Sequence, residues 1–291
     1  MAAVVEEGKM MAADNGGGTF RLACVQVNAG DDVAANLARA CDFARQAREA
    51  GAQFIAFPEN VGFMAPDGLG VRQAAKPEAE HPGLAAFRAL AREIEAWLLV
   101  GSLAIATDDA EGRVANRSFL VDESGEIKAT YDKIHMFDVS LAGGEDYRES
   151  ATYRPGGEAV VAESPFGKLG MTICYDLRFP YLYRSLAKGG AEMIAVPSAF
   201  TQATGRAHWH TLLRARAIET GAFVFAPAQC GTHPRGRKTF GHSLIVDPWG
   251  TILAEAGEQP GVITAEIDLA ASARARAQVP SLTHDRDVAG P

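Results

Sequence analysis

The chain has 291 residues, 47% hydrophobic and 22% charged, a balance that excludes a disordered chain and suits one large or two smaller folded domains. Lys and Arg number 28 against 36 Asp and Glu. The resulting net charge of −8 argues against nucleic acid or an anionic membrane as partner, though not against a small anion held in a local positive pocket.

Residues 1–9 are acidic and lack an apolar core segment, so no secretory signal is expected there. Residues 1–18, closing on Asp14-Asn15-Gly16-Gly17-Gly18, read as a flexible tail, and 19–291 as a single domain. Alternation predicts a strand over 20–27. Asp31 and Asp32 then cap a helix through Ala50, with Val33, Leu37, Ala40, Cys41, Ala44 and Ala47 as its apolar stripe and Gly51 as its stop. A short buried strand, 54–57, ends at Pro58, and a long polar loop runs to about Pro82. A helix over 84–96 and a strand over 98–106 follow. The apolar run they share, 96–106, is shorter than the roughly 20 residues of a membrane span.

Strands over 117–121 and 127–131 flank Asp122-Glu123-Ser124-Gly125-Glu126, a hairpin signature, and 138–158 is loop-rich. Strands over 160–163 and 169–173, a helix over 181–188, a strand over 193–196 and a helix over 206–220 come next. Short strands over 223–226, 243–246, 252–254 and 262–267 precede a polar tail from about Ala270. Helices alternate with strands and hairpins are mixed in, so an α/β (α+β) domain with helices covering mixed sheets is expected. A purely parallel sheet fits less well, because several connections are too short for crossovers. Cys24, Cys41, Cys174 and Cys230 form no CxxC pair, which suits free thiols in a reducing cytoplasm.

Three residues at strand ends could do chemistry. Cys174 follows the apolar run Met171-Thr172-Ile173 and precedes Pro180, a residue suited to a first helical turn. A thiol facing a helix N-terminus gains a lowered pKa and open access, and the Tyr175 N–H can point at an oxyanion. Against this stands a buried small hydrophobe, the commonest fate of a free cysteine. Glu59, after Phe57-Pro58, gains a raised pKa by desolvation and becomes a base; a solvated loop carboxylate is the plain reading. Lys133, in Tyr131-Asp132-Lys133-Ile134-His135, faces a pocket or lies on the surface. Glu, Lys and Cys each at a strand terminus make a more specific pattern, because strand ends in α/β proteins converge on sites.

With Phe57-Pro58-Glu59-Asn60, Tyr131-Asp132-Lys133-Ile134-His135 and Ile173-Cys174-Tyr175-Asp176-Leu177-Arg178-Phe179-Pro180 in this order, the chain resembles the nitrilase superfamily of carbon–nitrogen hydrolases over about 20–269. The resemblance implies a four-layer α-β-β-α sandwich, a homodimer or higher homo-oligomer, a catalytic triad of Glu59, Lys133 and Cys174, and a further catalytic Glu149. Within the superfamily it is similar to the Nit branch, through Lys133-Ile134-His135-Met136-Phe137-Asp138-Val139 and Gly205-Arg206-Ala207-His208-Trp209 among others. Ala228-Gln229-Cys230-Gly231-Thr232-His233 is more similar to deaminated-glutathione amidases than to ω-amidases. His210 departs from the branch, which usually has Glu there.

The chemistry so implied is hydrolysis of a primary amide through a cysteine thioester, with release of ammonia. Glu59 takes the thiol proton, while Lys133 and the Tyr175 N–H hold the oxyanion. Substrate contacts are expected at Phe200 and Thr201, and at Arg178, whose guanidinium can grip a carboxylate. Neither metal nor organic cofactor is called for: no HExxH or Cys/His cluster appears, and His208 and His210, two apart on a helix, do not share a face. Arg235, Arg237 and Lys238 read as a solvated basic loop or, more sharply, as a landing site for a substrate carboxylate. An ω-amidase, a nitrilase, an N-carbamoyl amidohydrolase and an inactive binding scaffold are the other readings.

Overall fold

The computed structural model describes residues 18–65, 67–141 and 145–290; the tail expected at 1–18 lies outside them except for Gly18. The first half runs β1 (Thr19–Gln26), α1 (Val33–Glu49), β2 (Phe54–Ala56), α2 (Gly68–Ala74), α3 (Pro82–Ile94), β3 (Trp97–Ile105), β4 (Ala115–Val121), β5 (Ile127–Asp132), β6 (Asp138–Leu141) and β7 (Glu145–Arg148). The second half runs β8 (Val160–Ser164), β9 (Gly167–Met171), α4 (Pro180–Lys188), β10 (Met193–Ala195), α5 (Gln202–Thr220), β11 (Phe223–Ala226), β12 (Cys230–Thr232), β13 (Lys238–Phe240), β14 (Leu244–Val246), β15 (Ile252–Glu255), β16 (Gly261–Asp268) and α6 (Ala270–Gln278).

Two six-stranded sheets result, ordered β16-β1-β2-β3-β4-β5 and β15-β14-β11-β10-β9-β8. Each has a parallel trio at its centre, β1-β2-β3 and β9-β10-β11, flanked by antiparallel strands. The helices are the crossovers that parallel pairing demands. Strand alternation then sorts the layers. In β1 and β2, Leu22, Cys24, Phe54 and Ala56 join Met171, Met193 and Phe225 of the second sheet in one core, while Ala23, Val25 and Ile55 pack with Ala40, Ala44, Phe87 and Leu90 of α1 and α3. Phe54 and Phe225 meet edge to face across the sheets, with ring centroids 5.7 Å apart. On the other face of the second sheet, a Cβ on Gly170 would meet Leu186 of α4 at 3.2 Å. The architecture is the four-layer α-β-β-α sandwich.

Local signals explain the elements. Asp32 caps α1 by accepting from the Ala35 N–H at 3.1 Å. Pro82 opens α3, and the His81 ring nitrogen accepts from Gly83 and Leu84. Several segments differ from the sequence reading: 230–232 and 238–240 pair as β12 and β13, and α5 begins at Gln202 rather than 206. The loop before Pro82 holds α2, with Asp67 as its cap, and the loop-rich 138–158 holds the β6–β7 ladder. The polar segment after Ala270 begins with α6, which has almost no apolar face. It is docked by polar bonds: Arg276 Nε donates to the Thr220 carbonyl at the end of α5, and Ser272 to that of Gly221. Among the described residues no helix is long and apolar enough to cross a membrane.

One irregularity bears on function. The β3–β4 register slips between Val100 and Leu103, a bulge that brings Gly101 against the chain leaving β2. A Cβ on Gly101 would overlap the carbonyl oxygens of both Phe57 and Pro58. Gly101→Ala is therefore expected to lower stability by at least ~2 kcal/mol, near the upper end of overpacking costs. Urea denaturation checks this: a midpoint equal to wild type means that the bulge can open without cost.

Candidate active site

Glu59, Lys133 and Cys174 stand at the ends of β2, β5 and β9, and the fold brings them together. After β2 the chain turns through Asn60 at φ 55°, with the Asn60 N–H bonded to Ser102 Oγ at 2.9 Å. Gln229 Nε2 holds the Glu59 and Asn60 carbonyls at 3.0 and 3.2 Å. Lys133 N–H donates to the Asn116 carbonyl at 3.0 Å, which fixes its exit from the sheet. Cys174 sits at φ 51°, a left-handed conformation that costs a non-glycine residue of order 1 kcal/mol or more. Its N–H is anchored on the Pro197 carbonyl at 3.0 Å. No acceptor takes the Tyr175 N–H among the described residues.

The Lys133 ammonium, 2% exposed, bridges two carboxylates. It donates to Glu59 Oε1 at 2.9 Å and to both oxygens of Glu149 at 2.8 and 2.9 Å. Glu59 Oε1 also accepts from Asn116 Nδ2 at 2.9 Å, and Oε2 from the Ala199 N–H at 2.8 Å. Glu149 Oε2 accepts from the Phe137 N–H at 2.6 Å. Burial works against the Lys133 charge, but Glu149 and Glu59 hold the proton well above the ordinary lysine range. Burial pushes the Glu59 carboxyl up, yet the Lys133 charge and hydrogen bond outweigh it, so Glu59 ends below its ordinary value. Glu149 ends above its own, through burial and the neighbouring Glu59 charge.

Two expectations are thereby reversed. Glu59 does not end raised, because the Lys133 charge and hydrogen bond outweigh its desolvation. Nor is the Cys174 thiol lowered: burial and the Glu59 charge push it well above the usual thiol value, against the pull of Lys133. The Lys133 ammonium is already paired with Glu59 and Glu149, so its charge is not free to favour a thiolate. At 7% exposure the thiol is also less open than expected. The thiol thus favours its neutral form beside Glu59, which lines the same cavity.

Asp176 ties the turn at Cys174 to the strand that precedes Lys133. Fully buried, it accepts from Tyr131 of β5 at 2.7 Å, from the Ile173 N–H at 2.9 Å and from the His135 N–H at 3.0 Å. Asp176 and Asn116 are the residues that sequence reasoning missed. Asp176 had only its place in the third motif as a signal, and Asn116 only its polarity beside an apolar strand.

A cavity of about 370 Å³ opens over the cysteine, within the ~300–1,000 Å³ of small-molecule sites. Glu59, Lys133, Glu149, Cys174, Tyr175, Phe200 and Thr201 all line it. Arg178 does not stand among the wall residues. Its guanidinium lies 5.2 Å from the Phe200 ring centroid and 3.3 Å from His208, and forms no pair with Asp176. Arg235 and Arg237 do line the cavity, whereas Lys238 does not. Arg235 pairs with Asp67 at 2.8 Å. Arg237 donates to the Ala199 carbonyl at 3.1 Å and lies over the Tyr147 ring. Its buried Nε has no partner among the described residues.

The carbon–nitrogen hydrolase family model matches residues 21–277. The chain belongs to this family. It is 40% identical over 268 residues to the deaminated glutathione amidase of Yersinia enterocolitica, covering 92% of this chain and 93% of the relative. Nit3 of Saccharomyces cerevisiae, a member of branch 10 of the nitrilase superfamily, superposes with a TM-score of 0.81 at 29% identity over 90% of this chain and 94% of that one. An amidase from Nesterenkonia superposes with a TM-score of 0.75 at 28% identity, covering 91% and 97%; its mutant carries the acetamide moiety of fluoroacetamide covalently on the active-site cysteine.

The electrostatics of this hydrolase set a measurable expectation. Ultraviolet titration of the wild type minus Cys174→Ala should show no Cys174 thiolate up to pH 9.0, the ordinary thiol value from which burial raises it. A thiolate band at neutral pH means instead that the resting state is a thiolate–lysine pair.

Proposed function

We propose that this carbon–nitrogen hydrolase cleaves the amide on the distal carbonyl of an α-keto acid, with deaminated glutathione, where that amide joins the keto acid to cysteinylglycine, as its substrate, through a thioester on Cys174. The observation that carries the reading is the buried Lys133 ammonium bridging Glu59 and Glu149 in the wall of the cavity that also holds Cys174. As Sγ attacks the amide carbon, Glu59 takes the thiol proton and the carbonyl electrons move to oxygen. The Tyr175 N–H and Lys133 stabilise that oxyanion. Collapse breaks the C–N bond, and Glu59 delivers its proton to the departing nitrogen. An unsubstituted amide releases ammonia; deaminated glutathione releases the amine of its cysteinylglycine part. Water then attacks the thioester with Glu59 again as base, and the expelled sulfur recovers its proton. Glu149 positions Lys133, sharing its charge so that the ammonium stays aimed between base and nucleophile.

The substrate's keto acid end carries a carboxylate, which needs a cation when buried. Arg237 is favoured for that contact over Arg178, because it lines the cavity and has no carboxylate partner among the described residues. Phe200 and Thr201 form the wall beside the acyl chain. A homo-oligomer in the cytoplasm completes the reading. It is supported by exposed Trp249 and Ile218, the latter packed against Gly250, and by four unpaired thiols.

Turnover of deaminated glutathione beside α-ketoglutaramate, a nitrile and a carbamoyl amino acid tests the substrate. Cys174→Ala should lower kcat/KM by more than ~10³-fold. Lys133→Ala should cost at least ~10²–10³-fold, as an oxyanion donor and the charge that holds the Glu59 carboxyl low are both lost. Arg237→Lys keeps the charge but not the fork, and should raise KM roughly tenfold or more while Cys174 alkylation stays intact. Near-normal kcat in Cys174→Ala removes the covalent mechanism. A larger KM effect from Arg178→Lys than from Arg237→Lys moves the carboxylate to Arg178.

A further inference from the structure

We propose that His210, His242 and Glu255 form a binding site for one divalent transition-metal ion of the zinc class, outside the catalytic cavity. His210 Nε2 and His242 Nδ1 both bond the same oxygen, Glu255 Oε1, at 2.8 and 2.9 Å. The three ligand atoms lie within 4.8 Å of one another. Two imidazole nitrogens and a carboxylate oxygen are a borderline donor set, suited to Zn²⁺, Co²⁺ or Ni²⁺ rather than to Mg²⁺ or Ca²⁺, which take oxygen. With metal–ligand bonds of about 2.0–2.2 Å at a tetrahedral angle, each N···O separation becomes about 3.4 Å, so the cluster need open by only about half an ångström per pair.

The ligands come from three elements whose backbones are already fixed. His210 lies within α5, Glu255 ends β15, and His242 occupies the turn before β14 at φ 55°. Trp209, the neighbour of His210, is fully buried and donates its indole N–H to the His242 carbonyl at 2.8 Å. The His242 N–H is bonded to the Gly257 carbonyl at 3.1 Å. Phe240 stacks on His242 with centroids 4.3 Å apart and meets His210 edge-on at 6.1 Å, so both rings are held. Such packing is the support that places ligands before a metal arrives. The side chains keep 35%, 22% and 34% of their surface for His210, His242 and Glu255, leaving a path for the ion and room for water as further ligands. None of the three lines the cavity above Cys174, so the ion would act by tying α5 to the edge strand β15.

The test is calorimetric titration of ZnCl₂ into chelator-treated full-length protein, with Co²⁺ absorption and a Co²⁺-soaked crystal alongside. Variants are His210→Ala, Glu255→Gln and His242→Asn, the last chosen because Asn tolerates the left-handed turn. One ion per chain is expected, with affinity at least ~100-fold weaker in the histidine variants, beyond the ~10–100-fold cost of losing an outer partner. The Co²⁺ spectrum should lack thiolate charge transfer, and the anomalous peak should lie between the three side chains. The crystal decides even where a variant fails to fold. Absence of saturable binding, binding untouched by His210→Ala, a thiolate band, or a peak elsewhere each overturns the proposal.

Discussion

The Lys133 ammonium, buried between Glu59 and Glu149, is the interaction on which the rest of the site depends. A buried lysine without partners would lose its proton, and a buried glutamate would keep one. Together they favour the ammonium on Lys133 and the carboxylate on Glu59. The geometry is demanding, since a buried ion pair repays its desolvation only when its remaining lone pairs are met. Asn116, the Ala199 N–H and the Phe137 N–H meet them.

The fold supplies these partners from both sheets. Glu59, Asn116 and Lys133 belong to strands or strand ends of the first sheet. Cys174 and Ala199 follow strands of the second. Face-to-face packing of the two sheets through Leu22, Phe54, Met171 and Phe225 therefore sets the distance between Glu59 and Cys174. Asp176 closes the gap between the sheets from the Cys174 side, through Tyr131. Strain at Cys174 and the close approach at Gly101 are local costs that this packing supports.

Strong periodicity made most of the fold legible. The stripe Ala40-Ala44-Ala47, the Asp32 cap and the Asp122–Gly125 hairpin turn all specify structure within a few residues of themselves. One element that escaped, α6, is held by contacts distant in sequence. α6 has no apolar period and is fixed by Arg276 reaching Thr220, 56 positions away. The three strand-end residues were readable because three motifs mark them. Their protonation was not, since it depends on how many charges share one cavity, and a motif does not count its neighbours.

Arg178 and Arg237 show the same division at the level of single side chains. Arg178 is four positions beyond the nucleophile, and nearness along the chain suggested nearness to substrate. The short helical turn that begins at Cys174 carries it to His208 on α5 and over the Phe200 ring. Arg237, from a loop between two short strands, enters the cavity wall instead. Its positive charge also helps hold the Glu59 carboxyl low. One guanidinium therefore lines the cavity and acts on Glu59 as well, across a distance set by folding and not by sequence. The histidines of α5 part in the same way. His208 turns toward Arg178 and His210 toward His242 and Glu255, because residues two apart on a helix point about 200° from each other around its axis.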